Sequence, residues 1–325
     1  MRKIDQNKRE ELNMKILLTG AFSYSSEQLE EIRRLGFEID FLQQEKDVPA
    51  QCGQYECVVC NGLFLHHNIE KFEKLKFVQL TSAGYDRIPM DYAEKNKIQV
   101  HNAAGVYNIP IAEFTVLKIL EFYKKTRFFY ENQKQHTWEK ERNIIELAGK
   151  TATIIGFGNI GKEIAKRLSS FDVQIIGVDI RNPGCGLYEY VHINDLDPSL
   201  KKSDIVILTL PLDKKNEGFF DESKFSSMKP EALLVNMARG KLVVTDDLIY
   251  ALKSKKISGA ILDVFEEEPL GEDSELWDME NVILTPHNSF VGENNPKRLF
   301  SVIYKNLVQY KKMQGGEISL KPNVF

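Results

Sequence analysis

Three stretches of this sequence hold residue types suited to gripping an anion and moving a proton: VNMARG with Arg239, ILDVFEEEP with Asp263 and Glu268, and LTPHNS with His287. A guanidinium holds a carboxylate through a charge-assisted planar fork. An imidazole, with an ordinary pKa near 6.5, gives and takes protons at working pH. Taken singly, each stretch has a plainer reading: an arginine in a loop, an acidic surface run, a histidine after a proline. A fourth stretch, Gly156-Phe157-Gly158-Asn159-Ile160-Gly161, has the spacing G-x-G-x-x-G, follows the apolar run ATII and opens the helical pattern GKEIAKRL. In that context it reads as a dinucleotide site. Gly156 permits the tight turn, Gly158 lets the backbone approach a pyrophosphate, and Gly161 allows close packing of helix on strand. The amides of Asn159 and Ile160, at the helix start, are then donors to the phosphates. Asp179 ends the next strand pattern, eighteen residues after Gly161. It is placed to accept hydrogen bonds from the ribose hydroxyls of the adenosine half, and its charge repels a 2′-phosphate. Arg181 could accommodate such a phosphate or stack on adenine; with Asp179 present the pattern favours NAD over NADP.

The elements that position these residues alternate between strand and helix. From Lys15 to about Val100 the apolar runs KILLTG, EIDFLQ, CVVCNG, FVQLTSAG and IQVHNA are separated by helical patterns, which predicts a parallel, helix-covered sheet. Pro110 opens a long apolar helix, IAEFTVLKILEFYKKTRFFYENQ, with Glu113 in its first turn. A second alternation runs through TATIIGFG, VQIIGVDI, DIVILTLP, LLVNMAR, GAILDVF and NVILTPH, a second parallel sheet that carries the four chemical stretches on its strand ends, where ligands bind in such sheets. The helical pattern KRLFSVIYKNLVQYKKM, ending before Gly315 and Gly316, has no sheet of its own. It is expected to return to the first sheet, making that domain discontinuous: residues 1–108 with 292–325 in one domain and 109–291 in the other, with the crevice between them as the natural site.

Composition excludes several classes of function. With 43 Lys and Arg against 47 Asp and Glu, the net charge of −4 supplies no field for a nucleic acid. No run approaches eighteen apolar residues, and the charged opening segment MRKIDQNKREELNM lacks the apolar core of a signal peptide, so a cytoplasmic chain is expected with Met14 directly before the first strand. Cys52, Cys57, Cys60 and Cys185 are too few for a disulfide framework. Cys57 and Cys60 form a C-x-x-C close to His66 and His67, but YECVVC has a strand pattern that sends residues three apart to opposite faces. Neither a zinc knuckle nor a redox motif fits, and no metal is expected.

Taken in order after the glycine fingerprint, these stretches resemble the D-isomer-specific 2-hydroxyacid dehydrogenases, as do TSAGYD at 81 to 86 and HNAAGVYNIPIAE at 101 to 113. The intervals from Arg239 to Glu268 (268 − 239 = 29) and on to His287 (287 − 268 = 19) are similar to those of shorter family members. The resemblance implies two doubly wound α/β domains, a Rossmann NAD domain inserted in a flavodoxin-like substrate domain. It implies an enzyme that moves a hydride reversibly between NADH and a small 2-oxo acid. Arg239 would grip the carboxylate and polarise the keto oxygen, His287 would serve as acid and base, and Glu268, immediately before Pro269, would orient the imidazole and stabilise its charged form. Asp263 matches the ligand of the nicotinamide carboxamide, and the amides of Ala83 and Gly84 match donors to the substrate carboxylate. The family's homodimers would use the region after Ile111, rich here in aromatic residues. Three places depart from the usual pattern: Thr209 where many members have histidine, Arg87 after the G-x-D, and Asn288-Ser289-Phe290 after the proline and histidine. A phosphoglycerate dehydrogenase-like enzyme, with Arg87 toward a phosphate, and an NAD-sensing corepressor-like binding protein are the alternatives.

Overall fold

The computed structural model describes residues 14–49, 51–182, 184 and 188–315. The opening segment before Met14 and Cys185 lie outside them. The chain divides into two compact units, with the junctions between Val106 and Tyr107 and between Gly292 and Glu293.

In the first unit five parallel strands, β1 (Met14–Thr19), β2 (Phe37–Leu42), β3 (Cys57–Cys60), β4 (Phe77–Leu80) and β5 (Gln99–His101), are arranged β2-β1-β3-β4-β5, the flavodoxin-like order. Helices α1 (Ser26–Arg34), α2 (Leu63–His66) and α3 (Met90–Lys95) connect them. The start of α1 is set by a capping box: Gln28 N donates to Ser25 Oγ at 3.3 Å and Ser25 N donates to Gln28 Oε1 at 2.9 Å. Both cysteines of the C-x-x-C lie in β3 and are buried, and burial pushes both thiols up, away from the reactive thiolate.

The second unit holds α4 (Asn108–Tyr123), α5 (Thr126–Lys134) and seven parallel strands, β6 (Thr151–Ile155), β7 (Gln174–Asp179), β8 (Glu189–His192), β9 (Ile205–Leu208), β10 (Leu233–Asn236), β11 (Gly259–Leu262) and β12 (Val282–Leu284). Their order, β12-β11-β10-β9-β6-β7-β8, is that of a Rossmann sheet, with α6 (Asn159–Ser169), α7 (Leu196–Lys202), α8 (Glu222–Ser227) and α9 (Thr245–Lys253) among its connections. Alternate residues feed two separate cores. Ile154, Ile205, Ile207, Leu233 and Val235 join one, whereas Ile155, Val206, Leu208 and Leu234 join the other. Because both faces are covered, these strands read as unbroken apolar runs.

Two features depart from the sequence expectation. Strand β8, EYVH, was not foreseen, because it is a half-exposed edge strand without an apolar run. The long helix from Pro110 is two helices that start at Asn108 and break at Lys125, whose φ of 49° is left-handed. The closing helix α10 (Asn295–Met313) packs on the first sheet: Asn306 Nδ2 donates to Gln79 Oε1 at 2.7 Å, and Tyr310, buried against Phe77, donates to Glu56 Oε1 at 2.8 Å. None of the described helices is long and apolar enough to cross a membrane.

Candidate active site

The glycine loop is shaped by contacts that exclude side chains at two of its glycines and leave the third open. Gly156, with φ of 91°, turns the chain out of β6, and a Cβ there would lie 2.4 Å from Leu210 N. At Gly161 a Cβ would meet Gly156 O at 2.8 Å, so helix α6 can lie close on the turn. Beside Gly158 nothing stands within 4 Å. Gly158 caps α6 without a side-chain hydrogen bond, and no acidic residue occupies the first turn, so the positive end of the helix faces that open space. A pyrophosphate fits this cradle. The loop is fastened on both sides: Gly156 N donates to Val178 O at 2.8 Å, and Thr209 Oγ1 donates to Gly156 O at 2.8 Å. Thr209, a departure from the family pattern, thus braces the first glycine. Asp179 ends β7, where its Oδ1 accepts from Ile180 N at 2.7 Å and its carbonyl accepts from Tyr190 Oη at 3.1 Å.

At the other half of the same sheet edge, three neighbouring strand ends carry Arg239, Asp263, Glu268 and His287. Arg239 follows β10; its Nη1 donates to Ala238 O at 2.8 Å, and its carbonyl accepts from Asn236 Nδ2 at 3.0 Å. A Cβ on the next residue, Gly240, would lie 1.8 Å from Phe265 C, so the arginine segment runs directly against the segment that leads to Glu268. Of three consecutive glutamates, Glu268 is the one on the imidazole. Its Oε2 lies 2.8 Å from His287 Nδ1, and its Oε1 accepts from Phe265 N at 3.1 Å. Glu266 instead accepts from Thr245 N at 3.2 Å, at the start of α9. The histidine and glutamate side chains are 32% and 37% exposed, so the pair is reachable from solvent.

His287 itself has a left-handed backbone, with φ of 49°. Besides the Thr285 carbonyl, which accepts from His287 N at 3.0 Å, the groups that hold it there come from Asp263, whose side chain is fully buried. Asp263 Oδ1 accepts from Thr285 Oγ1 at 2.6 Å and from Asn288 N at 2.9 Å, and Oδ2 accepts from Ser289 N at 3.0 Å. His287 N donates to the Asp263 carbonyl at 2.8 Å. Phe290 stands edge-on to the imidazole, with centroids 5.9 Å apart, and Tyr107 stands edge-on to Phe290 at 5.8 Å. The part played by Thr285 was not visible in the sequence, because no local pattern ties it to an aspartate twenty-two residues earlier.

Ala83 and Gly84 belong to the first unit, in the loop after β4. Ser82 O accepts from Ala103 N at 2.8 Å and Ala83 O accepts from Asn102 Nδ2 at 2.5 Å. In a trans peptide the N–H points opposite to the C=O, so these bonds fix the directions of the Ala83 and Gly84 amides.

A profile described as "D-isomer specific 2-hydroxyacid dehydrogenase, NAD binding domain" matches residues 116–289. The chain is 38% identical to a glyoxylate reductase of Thermofilum pendens over 248 residues, 73% of this chain and 72% of that one. It is 33% identical to a glyoxylate reductase of Pyrococcus furiosus over 298 residues, 87% of this chain and 88% of that one. A solved D-isomer specific 2-hydroxyacid dehydrogenase family protein from Aeromonas salmonicida superposes with a TM-score of 0.81 at 27% identity, over 95% of this chain and 98% of that one. The cradle at Gly158, the imidazole and carboxylate on adjacent strand ends and these likenesses agree: the chain belongs to the D-isomer specific 2-hydroxyacid dehydrogenase family, and residues 116–289 contain its NAD-binding domain.

Proposed function

We propose that this protein is an NAD-dependent reductase of small 2-oxo acids, with glyoxylate as the first substrate to test, given the relatives' names. The observation that carries the reading is the 2.8 Å pairing of His287 Nδ1 with Glu268 Oε2. With Nδ1 engaged by a carboxylate, Nε2 is the nitrogen that exchanges a proton with substrate. NADH, when bound, supplies the hydride. His287 Nε2–H gives its proton to the keto oxygen as the carbon–oxygen π electrons move onto that atom, leaving a neutral imidazole and a 2-hydroxy acid; oxidation reverses the transfer. Glu268 holds the ring and favours its charged form during the step. Arg239 grips the substrate carboxylate and polarises the adjacent carbonyl. The oriented amides of Ala83 and Gly84 are further donors to the carboxylate. Gly156, Gly158, Asn159, Ile160 and Gly161 form the pyrophosphate cradle, and Asp179 accepts from the adenosine ribose. By resemblance Asp263 contacts the carboxamide of the nicotinamide, though its carboxylate also has partners within its own chain.

The protein is further proposed to be a cytoplasmic homodimer, its two domains being the substrate and dinucleotide domains drawn above. The segment from α4 to the next strand supports the dimer: Trp138 is 94% exposed and Tyr130 59% exposed, with Phe129, Ile144 and Ile145 also at the surface. Such an apolar surface suits a two-fold contact. Light scattering at micromolar concentration is expected to give twice the 37.4 kDa chain mass; the mass of one chain would refute the dimer.

His287→Gln fills the space and hydrogen-bonds but cannot donate a proton, so kcat for glyoxylate reduction is expected to fall on the order of 10²–10⁴-fold while NADH binding, read by fluorescence, is nearly unchanged. Arg239→Lys keeps the charge and loses the fork, so KM should rise as kcat falls. Near-normal turnover of the His287 variant would remove it as the acid and base.

Asp179 sets the cofactor preference, because a 2′-phosphate would meet its charge. The ratio kcat/KM should be higher with NADH than with NADPH, and Asp179→Ala should narrow the gap by weakening NADH use by roughly 1 to 3 kcal/mol. A parent enzyme that prefers NADPH would show that Arg181 dominates this loop.

A further inference from the structure

A positive φ is uncommon for any residue with a side chain, even for histidine, which enters the left-handed region more readily than most, and the surroundings of His287 show what holds it there. Around His287 those surroundings centre on Asp263, with the Thr285 carbonyl as a second acceptor for the His287 amide at 3.0 Å. Asp263 follows β11, and the turn from Thr285 to Ser289 follows β12, the neighbouring strand in the sheet. From that turn Asp263 collects the Thr285 hydroxyl and the amides of Asn288 and Ser289, while its own carbonyl takes the His287 amide. The residues on both sides of the imidazole are thereby tied to the preceding strand end, and so is the histidine backbone. The ring's other constraint, Glu268, acts on Nδ1 and orients the imidazole about its own bonds. It does not fix the backbone from which the ring projects.

We infer that Asp263, assisted by Thr285, is a positioning residue for His287: it holds the turn in the left-handed conformation that sets the imidazole beside Glu268, and so acts on the proton-transfer step. This rests on His287 being the acid and base. It assigns Asp263 a role within its own chain, distinct from the carboxamide contact implied by family resemblance. Both carboxylate oxygens are already engaged by donors of the turn, and the side chain is 0% exposed. Thr285 contributes the shortest of the three bonds, at 2.6 Å. Removing its hydroxyl leaves the Asp263 carboxylate in place with one donor fewer.

The test uses the full chain with NADH and glyoxylate. Thr285→Val keeps the side-chain shape and deletes the donor, and Thr285→Ser restores the donor without the methyl group. The valine variant is expected to lose about tenfold in kcat, the effect of one hydrogen bond to a charged group, with its NADH dissociation constant within about twofold of the parent. Its solvent deuterium isotope effect on kcat should rise, because proton transfer becomes slower relative to other steps. The serine variant should recover most of the rate. Asp263→Asn, which sets an amide group against backbone N–H donors, should lose more of kcat than Thr285→Val. If Asp263→Asn instead fails to fold, the valine and serine pair carries the test. Weakening of NADH binding in step with kcat in Thr285→Val would overturn the proposal, because the Thr285 bond would then serve dinucleotide binding and not the position of His287. Normal turnover by Thr285→Val beside an inactive His287→Gln would overturn the positioning role and leave the acid–base reading standing. Normal turnover by His287→Gln would overturn both.

Discussion

Burying an ionised carboxylate is tolerated only when its oxygens find donors, and in this protein the residue that imposes the demand is Asp263. The donors cannot come from the regular part of the sheet, where backbone groups are spent on the strand ladders. They come from the turn that leaves β12, which must fold back over the end of β11 to deliver a hydroxyl and two amides. The chain at His287 passes through the left-handed region as part of that turn, and the imidazole reaches Glu268 from there. Glu268 in turn is fixed by Phe265, whose backbone lies against Gly240, the residue after Arg239. The arrangement of Arg239, Glu268 and His287 is thus continuous with one satisfied buried carboxylate.

The other half of the sheet edge is built by a different means. There the constraint is steric, since a side chain at Gly156 or Gly161 would strike backbone, while Gly158 stands open. The backbone amides at the start of α6 supply a positive field, with no acidic residue in the first turn to oppose it. Parallel strands bring both halves to one edge: all strands of the second sheet run the same way, so the glycine loop, Asp179, Arg239, Asp263 and the turn of His287 all follow carboxyl ends.

Much of this arrangement was legible in the sequence because it depends on local chemistry. The inner strands of the second sheet are apolar on both faces, the glycines stand at fixed spacing before a helix, and Glu268 is distinguished from Glu266 and Glu267 by the proline that follows it. What escaped the reading depends on contacts between distant residues or on exposed elements. Strand β8 has no apolar run to announce it, and the break at Lys125 is a backbone turn inside a helical pattern. Thr209 stood out as a departure from a familiar pattern, but its hydroxyl bond to Gly156 spans fifty-three residues. The turn donors to Asp263 lie more than twenty residues away, so no local pattern announced them.

The dependence of the histidine turn on Asp263 can be measured without any substrate. Amide hydrogen exchange, resolved to Asn288 and Ser289, reports whether the two backbone donors are held by the carboxylate. In the parent both amides should exchange slowly, and in Asp263→Asn both should exchange at least about tenfold faster, as expected when hydrogen bonds to a charged acceptor are lost, while the amides of β6 and β9 keep their protection. Equal exchange at Asn288 and Ser289 in the two proteins would contradict the account, because the turn would then hold its shape without the buried charge.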